Sequence, residues 1–324
     1  DNLRGLDCGF VMPETFSVFR PPLAAGLIVL ALAAAGPARA QPLAAIAPAP
    51  QQAGQDTQPP APPADPAAQA LHLADEMKLA LGAQDVAVPQ EERDRAIALA
   101  RKALQTRNVP IDHPQLVMVV DRAVKVQRLL VVFAQPGAAW EVLGAVKVST
   151  GRPGQAEHFK TPVGVMINDG SIPGYRAQGT VNQNGIRGIG AKGLRVYDFG
   201  WSTTADWRHP GQVAVVRLEM HATDPVYLEP KLGTPDSEAC IHIPTKFNIF
   251  IDHHGLLDAD LAPKAASDPE IAWLFGPDHV QSPLAGDKLV VVDSSEPDAP
   301  LSDPQEAQQI EQNWANYMKS TNHS

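Results

Sequence analysis

Residues 115–148 read QLVMVVDRAVKVQRLLVVFAQPGAAWEVLGAVKV, in which runs of aliphatic and β-branched residues alternate with short breaks. The runs at 116–120, 124–133 and 140–148 have the composition of β-strands, and the breaks carry Asp, Pro and Gly, which favour turns. Similar runs recur further along the chain, at 163–167, 213–220 and 289–292. We therefore expect residues 113–293 to form a mainly β domain with a few helices.

A small helical segment is predicted before this domain, at residues 67–112. Residues 89–106 begin with proline, carry acidic side chains in the first turn and basic side chains near the end, which is the order that the helix dipole favours. Residues 68–81 also have a helix-forming composition. Residues 294–324 follow the β domain as an acidic, polar tail, and we assign no chemistry to it.

The first 40 residues have the pattern of a secretory signal peptide with a few upstream residues. Arg20 precedes an apolar stretch at 23–35, and Ala38-Arg39-Ala40 forms a small-residue cleavage site. An apolar helix of 13 residues spans about 20 Å and the hydrocarbon core about 30 Å, so we expect no stable membrane span after cleavage. Residues 41–66 contain eight prolines among Ala and Gln, which predicts a flexible linker. Together these features predict a periplasmic protein.

Charge and cysteine content restrict the function further. The formal net charge is −10 and the isoelectric point is near 5.4. Binding to nucleic acid relies on clustered Lys and Arg that neutralise phosphates, so this composition excludes nucleic acid as the main partner. The chain has two cysteines, one of them within residues 1–40, and two cysteines cannot build a disulfide framework.

The residues that carry chemistry lie at the end of one predicted strand and shortly after it. His221 directly follows the run at 213–220, and Cys240 lies nineteen residues later within the sequence SEACIHIP. A cysteine nucleophile needs a nearby base, which is usually histidine, and the main-chain amides of Ala239 and Cys240 could serve an oxyanion. On residue type alone, Cys240 is a small buried side chain, an intermolecular bridge or a working thiol, and composition does not choose among them.

Residues 114–252 resemble the catalytic domain of the L,D-transpeptidases, the YkuD family. That family has a histidine, a gap, and then Ser/Thr-His-Gly-Cys followed by a hydrophobic residue and Arg or Asn. The resemblance rests on segments in the same order here: Ser149-Thr150-Gly151, Thr161-Pro162-Val163-Gly164, and the set of His221, Ser237, Cys240 and Ile241.

The resemblance implies a mixed β-sandwich that acts on peptidoglycan stem peptides without a metal or an organic cofactor. Cys240 would attack a tetrapeptide donor and release its terminal D-alanine, with His221 as general base and acid. The backbone carbonyl of Ala222 would orient His221. Transfer of the acyl group to an amine would cross-link stem peptides or attach an amino acid or a protein. Transfer to water would make the protein an L,D-carboxypeptidase.

Ser237, Glu238, Ala239 and His242 are the expected oxyanion-hole and substrate residues, and three of them depart from the family pattern. Glu238 stands where the family has His, Ala239 where it has Gly, and His242 where it has Arg or Asn. An ionised Glu238 beside Cys240 would raise the pKa of the thiol; alternatively it pairs with His242 or receives a cationic acceptor. These departures leave an inactive peptidoglycan-binding homologue as the alternative. A metal site of His221, Cys240 and His242 lacks an evident fourth ligand.

Overall fold

A computed structural model of the protein describes residues 65–321. The predicted signal peptide at 1–40 and nearly all of the predicted linker at 41–66 lie outside these residues, as do the last three residues of the tail. No helix in the part of the chain that the structure describes is long and apolar enough to cross a membrane.

Helices and strands alternate along the described residues. Five α-helices occur there: α1 (Pro66–Leu81), α2 (Gln90–Thr106), α3 (Thr245–His253), α4 (Pro269–Ala272) and α5 (Pro304–Thr321). Nine strands accompany them: β1 (Gln115–Asp121), β2 (Arg128–Ala134), β3 (Glu141–Lys147), β4 (Gly164–Ile167), β5 (Tyr175–Arg176), β6 (Arg195–Ala205), β7 (Val213–Ala222), β8 (Ile241–Ile243) and β9 (Lys288–Val292). Single turns of 3-10 helix lie at Gly82–Gln84, Glu229–Lys231 and Lys264–Ala266.

The strands form two mixed sheets. The first has the order β3-β2-β1-β9-β4, and the second has the order β5-β6-β7-β8. Each sheet contains one parallel pair, β1 with β9 and β7 with β8, among antiparallel neighbours. The protein is therefore mixed α/β, and the prediction of a mainly β fold is only partly confirmed. The apolar runs do form strands, but the prediction gives too little weight to the helices that pack beside them.

The three central strands of the first sheet, β2, β1 and β9, are buried on both faces. On β1, Met118 and Val120 belong to a core that the second sheet shares through Leu218 and Met220 of β7. Val117, which points to the opposite face of β1, belongs to a second core that α2 covers. A strand that is buried on both faces needs apolar residues at consecutive positions, which explains the continuous run in its sequence.

The predicted helical segment at 67–112 forms α1 and α2, and both helices contribute to the cores. Helix α1 buries one stripe at helical spacing, made of Ala70, Leu73, Met77 and Leu81, in the core that the two sheets share. Helix α2 covers the other face of the first sheet with Ala96, Ala100, Ala103 and Leu104. The helices are thus part of the same hydrophobic structure as the strands.

We predict that truncating Met77 destabilises the whole protein. Met77 is 1% exposed in the shared core, so Met77→Ala leaves a cavity and lowers the free energy of unfolding by about 2–5 kcal/mol. Leu79 on the same helix is 85% exposed, and Leu79→Ala should change it by less than about 0.5 kcal/mol. Denaturant unfolding of both variants measures the difference. Equal effects would show that α1 does not belong to the cooperative core.

Candidate active site

The candidate site lies on one face of the second sheet, on the side away from the shared core. Leu218 and Met220 of β7 point into that core, so Glu219 and His221 project from the opposite face. His221 stands opposite His242 of the parallel strand β8, and their ring centroids are 5.0 Å apart. This face therefore collects polar side chains from neighbouring strands.

His221 is held in one orientation by its own strand. Its Nδ1 lies 2.7 Å from the carbonyl oxygen of Ala222, and because a carbonyl only accepts, Nδ1 carries the proton. Nε2 is then the acceptor nitrogen, and it is buried without a hydrogen-bond partner among the described residues. Burial lowers the pKa of His221 to about 4, so its imidazole is neutral at neutral pH. The contact between His221 and Ala222 that the resemblance implies is present.

Cys240 lies directly before β8, beside the end of β7. A carboxylate oxygen of Glu219, a ring nitrogen of His221 and Sγ of Cys240 all lie within 4.8 Å of one another. The sulfur of Cys240 is also 3.9 Å from the carbonyl oxygen of Arg217, and the Cys240 residue is buried. The parallel pairing of β7 and β8, with Met220 opposite Ile241, is what brings the histidine and the cysteine together.

Two hydroxyl groups fix the turn that ends at Cys240. The Thr161 hydroxyl donates to the carbonyl of Ala239 at 2.6 Å, and the Ser237 hydroxyl donates to the carbonyl of Cys240 at 2.6 Å. The C=O of one residue and the N–H of the next lie in one plane and point in opposite directions. Fixing the Ala239 carbonyl therefore also fixes the direction of the Cys240 amide, which is one of the two expected oxyanion donors.

The three segments that carried the family resemblance meet at this turn. The carbonyl of Thr150 accepts the backbone N–H groups of Asp236 and Ser237, at 3.1 and 3.2 Å. The Gly151 amide donates to the Thr161 hydroxyl at 2.8 Å. A Cβ at Gly151 would stand 1.9 Å from the carbonyl oxygen of Phe159, so the chain comes too close here for any side chain.

The residues that depart from the family pattern take different positions. Ala239 is buried, and it is not among the described non-glycine residues with positive φ, so its methyl group brings no left-handed strain. Glu238 is half-buried, and its carbonyl accepts the Phe159 amide at 2.6 Å. His242 packs against His221, and burial followed by the charges of His221 and Lys231 lowers its pKa well below the usual value.

Glu219 is the site residue that the sequence interpretation missed. It is 7% exposed, accepts a hydrogen bond from the Tyr175 hydroxyl at 3.1 Å and stands opposite Asp198 of β6. Burial, with a smaller contribution from the negative charge of Asp198, raises the pKa of Glu219 to about 7. Its position two residues before His221 on a strand was the available signal, because residues i and i+2 share a face.

The structure changes the set of residues that would form the alternative metal site. The sequence suggested His221, Cys240 and His242, but the structure groups Glu219 with His221 and Cys240, and His242 is not part of that group. We assign none of these residues as a metal ligand. The arrangement that the structure shows in detail is a neutral imidazole, a cysteine sulfur and a buried carboxyl within reach of one another.

Comparisons with known proteins do not identify the chain. No model of a known protein family matches it, and no curated protein matches it.

We predict that Gly151→Ala disrupts the packing of the turn. The new Cβ would meet backbone atoms of Phe159 and Thr161, which cannot move aside as a flexible side chain can, so we expect a loss of about 1–3 kcal/mol or more in unfolding free energy. A Cβ at Gly137 would meet nothing within 4 Å, and the φ there is 68°, so Gly137→Ala should cost only about 1 kcal/mol. Thermal unfolding compares the two. A larger loss for Gly137→Ala would contradict the close approach.

We also predict a pH-dependent difference in stability between the wild type and Glu219→Gln. The folded protein holds the Glu219 proton up to about pH 7, whereas an ordinary carboxyl releases it near 4.5. This stabilising contribution is therefore complete below about pH 4.5 and is lost as pH rises through about 7. The glutamine side chain is neutral at every pH, so Glu219→Gln lacks this pH-dependent contribution. Between about pH 5 and pH 8 the wild type should lose on the order of 1–3 kcal/mol relative to Glu219→Gln.

Chemical denaturation at both pH values measures this difference. His221 lies within 4.8 Å of the Glu219 carboxylate, so the difference also contains the coupling between these two groups. A difference that is independent of pH would show that the Glu219 carboxyl is already ionised at the lower pH.

Proposed function

We propose that this protein is a cysteine-dependent L,D-transpeptidase that acts on peptidoglycan stem peptides through an acyl-thioester. In this proposal residues 113–293 are the catalytic domain, and the two sheets that share one core form a mixed β-sandwich of that family's type. The predicted signal peptide would deliver the protein to the periplasm, where its substrate is found. The observation that supports the proposal most is that Nε2 of His221, buried and without a hydrogen-bond partner in the described part of the chain, belongs to the residue beside Cys240.

The first half of the reaction would use three groups. Nε2 of His221 takes the proton of the Cys240 thiol while the sulfur attacks the carbonyl of the L-centre residue of a tetrapeptide. The Cys240 amide, whose direction the Thr161 hydroxyl fixes, donates to the oxyanion. The bond to the terminal D-alanine then breaks, the departing amine receives the proton from His221, and the acyl group stays on sulfur as a thioester.

The acceptor in the second half of the reaction determines the product. An amine that attacks the thioester gives a new amide and restores the thiol, which is transpeptidation. Water in the same position gives a free carboxylate, which is L,D-carboxypeptidase activity. The unstrained backbone at Ala239 supports retained activity, because the alanine there does not force the turn into a left-handed conformation.

We predict that removing either reacting group abolishes product formation. The full chain, purified under a reductant, is incubated with tetrapeptide muropeptides, and the products are analysed by mass spectrometry. We expect release of D-alanine and cross-linked dimers from the wild type, no products from Cys240→Ala, and rates about 10²–10⁴-fold lower for His221→Gln.

His254→Gln is the matched control. His254 follows α3 and packs on Phe250, away from the candidate site, so this variant should retain the wild-type rate. D-alanine release without dimers would assign the protein as a carboxypeptidase. A folded wild type that yields no product would contradict the proposal and favour an inactive peptidoglycan-binding homologue.

A further inference from the structure

Glu219 has no part in the reaction described above, although it lies beside both reacting groups. Its carboxylate is within 4.8 Å of a ring nitrogen of His221 and of the sulfur of Cys240. Extending the register of β7 and β8 by one residue from Met220 opposite Ile241 places Glu219 next to Cys240. A buried carboxyl in such a position carries a desolvation cost, which calls for a functional explanation.

The groups that face Glu219 come from β5, β6 and its own strand, β7. Tyr175 of β5 donates a hydrogen bond to it, Asp198 of β6 stands opposite it, and Arg217 lies two residues earlier on β7. Arg217 forms its ion pair with Asp198, with Nη2 2.6 Å and Nε 3.0 Å from Oδ2. The guanidinium pairs with Asp198, and its positive charge also lowers the pKa of Glu219, but burial and the charge of Asp198 outweigh that effect. The hydrogen bond that Glu219 accepts comes from the neutral Tyr175 hydroxyl.

An amine acceptor, unlike the Cys240 thiol, arrives with a positive charge and one proton more than the attack itself removes. A primary amine arrives as an ammonium ion with a pKa of about 10 and has to lose one proton before its nitrogen can attack. His221 accepts that proton poorly, because burial lowers its pKa to about 4. The pKa of Glu219, raised to about 7, makes its carboxylate the stronger base of the two.

We propose that Glu219 is a catalytic residue of the acyl-transfer half-reaction: its carboxylate binds the ammonium group of a primary amine acceptor beside Cys240 and takes one proton from it. This inference rests on the proposed function. The amine nitrogen then attacks the thioester carbon, a C–N bond forms and the C–S bond breaks. The second amine proton passes to Nε2 of His221 and from there to the departing sulfur, and Glu219 releases its proton to water.

A ligand would reach Glu219 along β7, past Arg217, whose guanidinium is paired with Asp198. The side chain of Arg217 is 36% exposed and lies over the ring of Trp201, so the face opens to solvent at that end, whereas His221 is buried and His242 is half-buried. An ammonium group would find the carboxylate of Glu219 at the inner end of this face. Water is uncharged and forms no ion pair with the carboxylate. Glu219 would therefore favour transfer to an amine over hydrolysis.

The test separates acylation from transfer. The full chain under reductant is mixed with a tetrapeptide donor, and intact-protein mass spectrometry follows the thioester while product analysis gives the ratio of aminolysis to hydrolysis. We expect Glu219→Gln to form the thioester within about threefold of the wild-type rate, but to lower this ratio about tenfold or more. Glu219→Asp keeps a carboxylate and should restore part of the ratio. Glu270→Gln, at an exposed glutamate of α4, is the matched control.

The pH profile gives a readout that a merely structural role would not change. With an amine of pKa near 10, aminolysis by Glu219→Gln should follow the free amine and rise about tenfold per pH unit. Aminolysis by the wild type should rise with ionisation of Glu219 and level off above about pH 7.

Each other outcome has a distinct meaning. An unchanged ratio in Glu219→Gln, or an equal fall in thioester formation and in aminolysis, would overturn the role of Glu219 while leaving the proposed function intact. Parallel pH profiles for the two proteins would overturn it as well. Absence of a thioester on the folded wild type would overturn the proposed function and this role together.

Discussion

The parallel pairing of β7 with the three-residue strand β8 is the constraint on which the candidate site depends. A parallel neighbour cannot be reached by a tight turn, so a connection of 18 residues separates the two strands. So short a strand needs support from outside its sheet. An isolated bridge between Ser149 and His242 and the Thr161 and Ser237 hydroxyls supply it. If β8 were displaced by one residue, Cys240 would move away from His221 and the proposed reaction would be lost.

The same burial shifts two neighbouring pKa values in opposite directions. It lowers the pKa of His221 to about 4 and raises that of Glu219 to about 7, because in both cases the charged form is penalised. At neutral pH the site therefore rests with a neutral imidazole and a carboxyl near its midpoint. His221 would therefore become charged only during the reaction, whereas Glu219 is ionised in about half of the molecules before a substrate binds.

Local sequence patterns predicted the secondary structure better than they predicted the site. The continuous apolar run of β1 and the charge order of α2 are properties of single segments, and both elements form where they were expected. The share of helix in the fold was underestimated, because packing of α1 and α2 against the sheets is not visible in any one segment. Glu219 was missed for a related reason: its importance arises from the register that places it beside Cys240 on another strand.

The central claim is that Cys240 carries an acyl group during the reaction. The most direct measurement is mass spectrometry of the protein after brief exposure to a tetrapeptide donor, followed by peptide mapping. The account predicts a mass increase equal to the donor acyl group without D-alanine, located on the peptide that contains Cys240 and absent from Cys240→Ala. A folded, reduced protein that acquires no such mass, or that carries it on another residue, would contradict the account.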